Sequence, residues 1–161
     1  HQPHCIVLTR QAVPTFDRTR YGAASGLRRG AYVLGEPPDG KPEVILIGTG
    51  SEVQLCVGAH EALAREGIRS RVVSMPSWEL FEQQDEAYRA GVLPPSVAAR
   101  VAVEQASTIG WDRYVGRTGA VIGMHTFGAS APLKALETKF GFTPDAVVAA
   151  AKAQIAKQKG H

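Results

Sequence analysis

From residue 31 onward, short apolar runs alternate with amphipathic stretches. "AYVL" (31–34) predicts a short strand, and "GEPPDGKP" (35–42) a turn rich in Pro and Gly. "EVILIG" (43–48) is nearly all apolar, the pattern of a strand buried on both faces. Ser51 is expected to cap the next helix, with Gln54 completing a capping box. Val53, Cys56, Val57, Leu63 and Ala64 share one helical face, and Gly67 stops the helix. "RSRVVSM" (69–75), "RVAVE" (100–104) and "AVIGM" (120–124) predict three more strands. Between them, Ser77 and Asp85 are positioned to cap two short helices. A helix is expected from Ser130–Ala131–Pro132 to near Gly141. The last starts at Thr143–Pro144–Asp145: a cap, a proline at the first position and an acid at the positive end of the dipole. Val147, Val148, Ala151 and Ile155 form its apolar stripe.

Strands alternating with helices predict a three-layer α/β fold: a five-stranded, mostly parallel sheet with helices on both faces. The turn at 35–42 is too short for a crossover, so the first two strands are expected to form an antiparallel pair, with the first antiparallel to the other four. Residues 12–30 carry Pro14, Gly22, Gly26 and Gly30 without sustained periodicity, which reads as a linker. Ahead of it, "CIVLTRQ" (5–11) reads as a short apolar strand that ends at Arg10.

Composition narrows the classes. Of 161 residues, 44% are hydrophobic and 20% charged, the profile of a folded globular domain. No apolar run is long enough to span a membrane, and no secretory signal is present. The net charge of +3 resides in residues 1–41, but no aromatic residues interleave with those arginines, which argues against nucleic acid. Cys5 and Cys56 lack any metal-ligand spacing and suit a reducing, cytoplasmic setting.

In such sheets ligands bind beyond the carboxyl ends of the strands. There "GTGSE" makes Gly48, Gly50, Ser51 and Glu52 a candidate regulatory anion site at a helix N-terminus. It is neither a Walker loop nor a complete dinucleotide fingerprint, since Val53 stands where the third glycine belongs. Glu104, Asp112 and His125 are a weaker acid/base candidate, without a nucleophile spaced to join them. His60 sits on the inward stripe of its helix, where a packed histidine is the simpler reading. Trp78, Phe81, Trp111, Tyr114 and Phe127 read as filling the core or an interface. No catalytic set and no metal site emerge from the residues. On this basis the chain is an assembly domain of a larger enzyme or a free-standing anion- or nucleotide-sensing module.

A collinear series of stretches adds more: "LTRQ" (8–11), "RGAYVL" (29–34), "GTGSEV" (48–53), "RVVSMPSWELFEQQ" (71–84), "YRAGVLP" (88–94), "ARVAVE" (99–104), "GWDRYVG" (110–116), "FGASAP" (127–132) and "KFGFTPDAVVAAAK" (139–152). In this order they resemble the C-terminal end of the transketolases. The resemblance implies three divisions: residues 1–11 as the last strand of a pyrimidine-binding domain, 12–30 as linker, and 31–159 as the C-terminal α/β domain. It implies a transferase that moves a two-carbon ketol unit between sugar phosphates in the pentose phosphate pathway. Thiamine diphosphate and Mg²⁺ would be held by upstream domains, within a homodimer. "LTRQ" is similar to the family's LSRQ, with Thr9 keeping the hydroxyl, and Arg10 would contact the substrate phosphate. The fragment alone is expected to be inactive and to bind no cofactor, with a structural or assembly role.

Overall fold

The structure, a computed structural model, describes residues 5–9 and 11–160. Five strands form one sheet: β1 (Tyr32–Gly35), β2 (Val44–Gly48), β3 (Ser70–Ser74), β4 (Arg100–Ser107) and β5 (Ala120–Met124). Their spatial order is β1-β3-β2-β4-β5. β1 runs antiparallel to β3, with Tyr32 opposite Ser74, and the remaining pairs are parallel. The chain therefore contains the expected mixed sheet with its one antiparallel strand, but β1 does not pair with β2 as expected, because β3 lies between them.

Alternation along the central strands supplies two cores. Val44, Leu46, Val72, Val101 and Val103 face α1 (Val53–Arg65) and α6 (Pro144–Lys159). Ile45, Ile47, Val73 and Ala102 face the other side. That side is covered by α2 (Trp78–Glu82), α3 (Glu86–Val92) and α4 (Asp112–Val115) through Phe81, Val92, Trp111 and Tyr114. Every residue of β2 and β3 is buried; β2 reads as a continuous apolar run, whereas β3 buries Ser70, Arg71 and Ser74 beside Val72 and Val73. α5 (Leu133–Phe140) contributes no buried residue and ends at left-handed Gly141.

Caps follow the sequence in three places. Ser77, Asp85 and Thr143 accept hydrogen bonds from the backbone N–H of Leu80, Tyr88 and Ala146. The first helix differs. A 3-10 turn, Gly50–Glu52, precedes α1, and Ser51 does not cap it. The reason is the close approach of β2 to α1: a Cβ at Gly48 would lie 2.9 Å from the Cα of Val53. The tight turn needed there puts Glu52 at the N-cap position and sends the Ser51 hydroxyl to the Glu52 carboxyl. Ala64 is exposed rather than part of the buried stripe, which uses Leu55 and Ala59 instead. Residues 5–9 join no strand, and Ile6, Val7 and Leu8 are fully open to solvent.

Two arginines fasten the helices to the sheet. Arg71 is buried in β3; it pairs with Glu36 and donates from Nη1 to the carbonyls of Gly91 and Val92. Arg100 donates to the carbonyls of Val97, Tyr114, Leu93 and Pro94 and forms no ion pair with a described carboxylate. Arg100→Met keeps the stem but strands those acceptors, and should cost about 2–3 kcal/mol. Urea unfolding would show it as a lower midpoint with an unchanged slope.

Candidate functional site

The chain leaves β2 for β3 on one side, then returns past β2 to β4. The crevice between the carboxyl ends of β2 and β4 is therefore the point where strand order reverses, the usual place for a ligand. Gly48 ends β2 there, opposite Val103 of β4. The Gly50–Glu52 turn closes over it and Glu104 stands beside it on β4.

The crevice is acidic. Glu52 is only 4% exposed. Its carboxyl accepts from the Ser51 hydroxyl, and the Gln105 backbone N–H donates to it at 3.5 Å. Burial raises its pKa, and the Glu137 charge on α5 pushes the same way. Glu104 is pushed up to about 7, by burial first and by the Glu52 charge second. Beneath them lies Cys56, fully buried, its thiol held protonated by burial and by Glu52. The proposed anion site thus comes with a carboxyl already seated against the N-terminus of α1, and phosphate would have to displace or neutralise it.

Raised carboxylates make stability depend on pH. The native state holds the Glu104 proton up to about pH 7, whereas an ordinary Glu releases it near 4.5. Stability tied to that proton is complete below pH 4.5 and is lost as pH rises through 7. Glu104→Gln should therefore stabilise the chain at pH 8 by about 1–2 kcal/mol, allowing for solvent screening, and change little at pH 4. Thermal unfolding of both proteins across this range checks the sign.

The other candidate residues separate. Glu104 is in register with Gly123, but His125 is exposed past the end of β5, in a shallow depression with Ser107, Thr108 and Phe127. Asp112 is exposed at the start of α4. No hydrogen bond joins these three among the described residues, so the acid/base grouping is not assembled. His60 is half-buried on α1, with Nδ1 2.8 Å from the Ser70 hydroxyl. Arg10 lies outside the described residues.

The aromatic residues divide between core and surface. Trp111 and Phe81 are 1% and 2% exposed, so they and the adjoining Trp78 form core rather than assembly contacts. Phe127 is the reverse, 98% exposed, and Ile109 and Leu133 are the other large apolar side chains open to solvent near this end of the sheet. The sequence offered no signal for the acidic pair: Glu52 belongs to an N-terminal turn and Glu104 to a strand end, both places where exposed acids are common.

Among the described residues, no cluster of three or more His, Cys, Asp or Glu side chains is arranged to hold a metal ion, and no helix is long and apolar enough to cross a membrane.

Comparison with known proteins places these features. The family model for the "Transketolase-like TK C-terminal domain" matches residues 30–143. Transketolase from Geobacillus stearothermophilus is 49% identical over 97% of this chain, and transketolase 1 from Escherichia coli 51% identical over 93%. The chain spans only 23% and 22% of those relatives' lengths. The crystal structure of a transketolase mutant from Pichia stipitis superposes with a TM-score of 0.83 at 35% identity, over 94% of this chain and 21% of that one.

Proposed function

This chain belongs to the transketolase family, matching its C-terminal domain, and from that premise we propose that it serves a thiamine-diphosphate-dependent ketol transferase whose reacting groups lie upstream. The observation that carries the reading is the matched length. Near-complete coverage of this chain falls on about a fifth of each relative. Residues 1–11 then belong to the last strand of a pyrimidine-binding domain, 12–30 to a linker, and 31–159 to the C-terminal domain. The exposed Ile6, Val7 and Leu8 support that division, since three consecutive apolar side chains in solvent suit a segment made to enter another sheet.

In the complete enzyme, thiamine diphosphate supplies the electron sink for moving a two-carbon unit from a ketose phosphate to an aldose phosphate, with Mg²⁺ anchoring the diphosphate. The described residues provide no cluster of metal-ligating side chains for that ion. By the family resemblance, the cofactor is assigned to the upstream domains. Arg10 is assigned to the sugar phosphate, where a guanidinium offers two parallel hydrogen bonds and a fixed charge. The enzyme is placed in the cytoplasm, as a homodimer. Ile109, Phe127 and Leu133 are the exposed apolar side chains through which this domain would meet the rest of it.

The purified 161-residue chain, supplied with thiamine diphosphate, Mg²⁺ and a ketose phosphate–aldose phosphate pair, should show no ketol transfer. A coupled spectrophotometric assay reads this directly, and turnover above the protein-free rate would refute the assignment.

A further inference from the structure

A cavity lies away from the acidic crevice, at the amino end of β3. It measures about 520 Å³, within the range of small-molecule sites. Four separated segments build it: the linker at Tyr21, the turn at Pro37–Pro38, α1 at His60, and the loop at Ile68. The walls are mainly apolar. Tyr21 is held in place from two sides, its hydroxyl donating to Glu61 Oε1 at 2.8 Å and its ring tilted against Phe16 at 5.6 Å.

Three polar groups remain available there. His60 has Nδ1 engaged by Ser70, while Nε2 has no partner among the described residues. Burial lowers its pKa, so the ring is neutral at pH 7. Arg20 uses only Nη2, toward Glu61, leaving Nε and Nη1 unengaged among the described residues. Arg69 uses Nε and Nη1, toward Glu43 and Asp39, leaving Nη2. Glu36, the lining carboxylate, is already committed to Arg71.

We propose that this cavity binds a small planar aromatic acid. The ring would lie against Tyr21 and the two prolines, which supply apolar surface to the lining. His60 Nε2 would fix a polar ring edge, and the anionic group would take the spare guanidinium donors of Arg20 and Arg69 at the mouth. The proposal does not depend on ketol transfer, because binding is read without turnover.

The test is a ¹H–¹⁵N NMR titration of the 161-residue chain with indole-3-carboxylate and benzoate. Acetate supplies the anion without the ring, and indole the ring without the anion. The aromatic acids should shift the amides of Tyr21, Ile68 and Ser70 saturably and bind at least about tenfold more tightly than either control. Ala64→Phe, an exposed helix position lining the cavity, should fill it and weaken binding at least about tenfold, as should His60→Leu. If His60→Leu does not fold, Ala64→Phe decides alone. Absence of saturable shifts, equal affinity for acetate, equal affinity for indole, or indifference to Ala64→Phe would each overturn the proposal.

Discussion

Replacing Trp111 by alanine should destabilise the chain by about 3–5 kcal/mol. Trp111 is among the largest fully buried side chains. It meets Trp78 edge to face, centroids 5.1 Å apart at 89°, and Tyr114 at 6.0 Å. These rings, with Phe81, cover the sheet face made by Ile45, Ile47, Val73 and Ala102. The helices that carry them are short: α2 has 5 residues and α4 has 4. Such helices have little stability of their own and depend on packing. Removing the indole therefore opens a cavity and also releases α4 from the sheet. Trp111→Phe, which retains a ring, should cost roughly half as much. Equilibrium urea unfolding measures both; a loss below about 1 kcal/mol for the alanine variant would contradict the packing described.

Gly30→Ala should be comparably damaging for a different reason. Gly30 has φ +82° and ends the 3-10 turn Ala24–Arg29. A Cβ there would collide with the backbone nitrogen of Phe81 and the carbonyl oxygen of Ser77. The same residue accepts the Ser77 N–H at 3.0 Å, so the two segments cannot move apart without losing that bond. Strain and backbone collision together should exceed about 3 kcal/mol. Gly40→Ala isolates the conformational part: φ is +65° but the surroundings are open. Its cost should be about 1 kcal/mol. Melting temperatures of the two variants separate collision from strain, and equal losses would argue against the close approach at Gly30.

Most of the sheet was legible because its strands hold short apolar stretches near Gly and Pro, and the short 35–42 turn implied an antiparallel β1; that β1 pairs with β3 rather than with β2 was not legible, because its partner comes from a later segment. The caps at Ser77, Asp85 and Thr143 were legible because each is a polar residue just before an amphipathic run. Ser51 satisfied the same rule and failed it, since the strand-to-helix approach at Gly48 is a tertiary constraint that local spacing does not encode. Burial of aromatic residues was legible only in part. Trp111 and Phe127 each follow a strand and have Gly and polar residues as immediate neighbours, yet one fills the core and the other stands in solvent. The acidic pair and the His60 cavity were invisible, because each is assembled from segments far apart in the chain.

The central claim is that this chain supplies the C-terminal domain of a transketolase while the chemistry resides upstream. The most direct test joins it to the upstream domains of Geobacillus stearothermophilus transketolase, in place of that enzyme's own C-terminal domain. With thiamine diphosphate and Mg²⁺, the chimera should fold as a dimer and catalyse ketol transfer, and its Arg10→Leu variant should raise KM for the phosphorylated sugar at least about tenfold. A folded, dimeric chimera without ketol transfer would contradict the account.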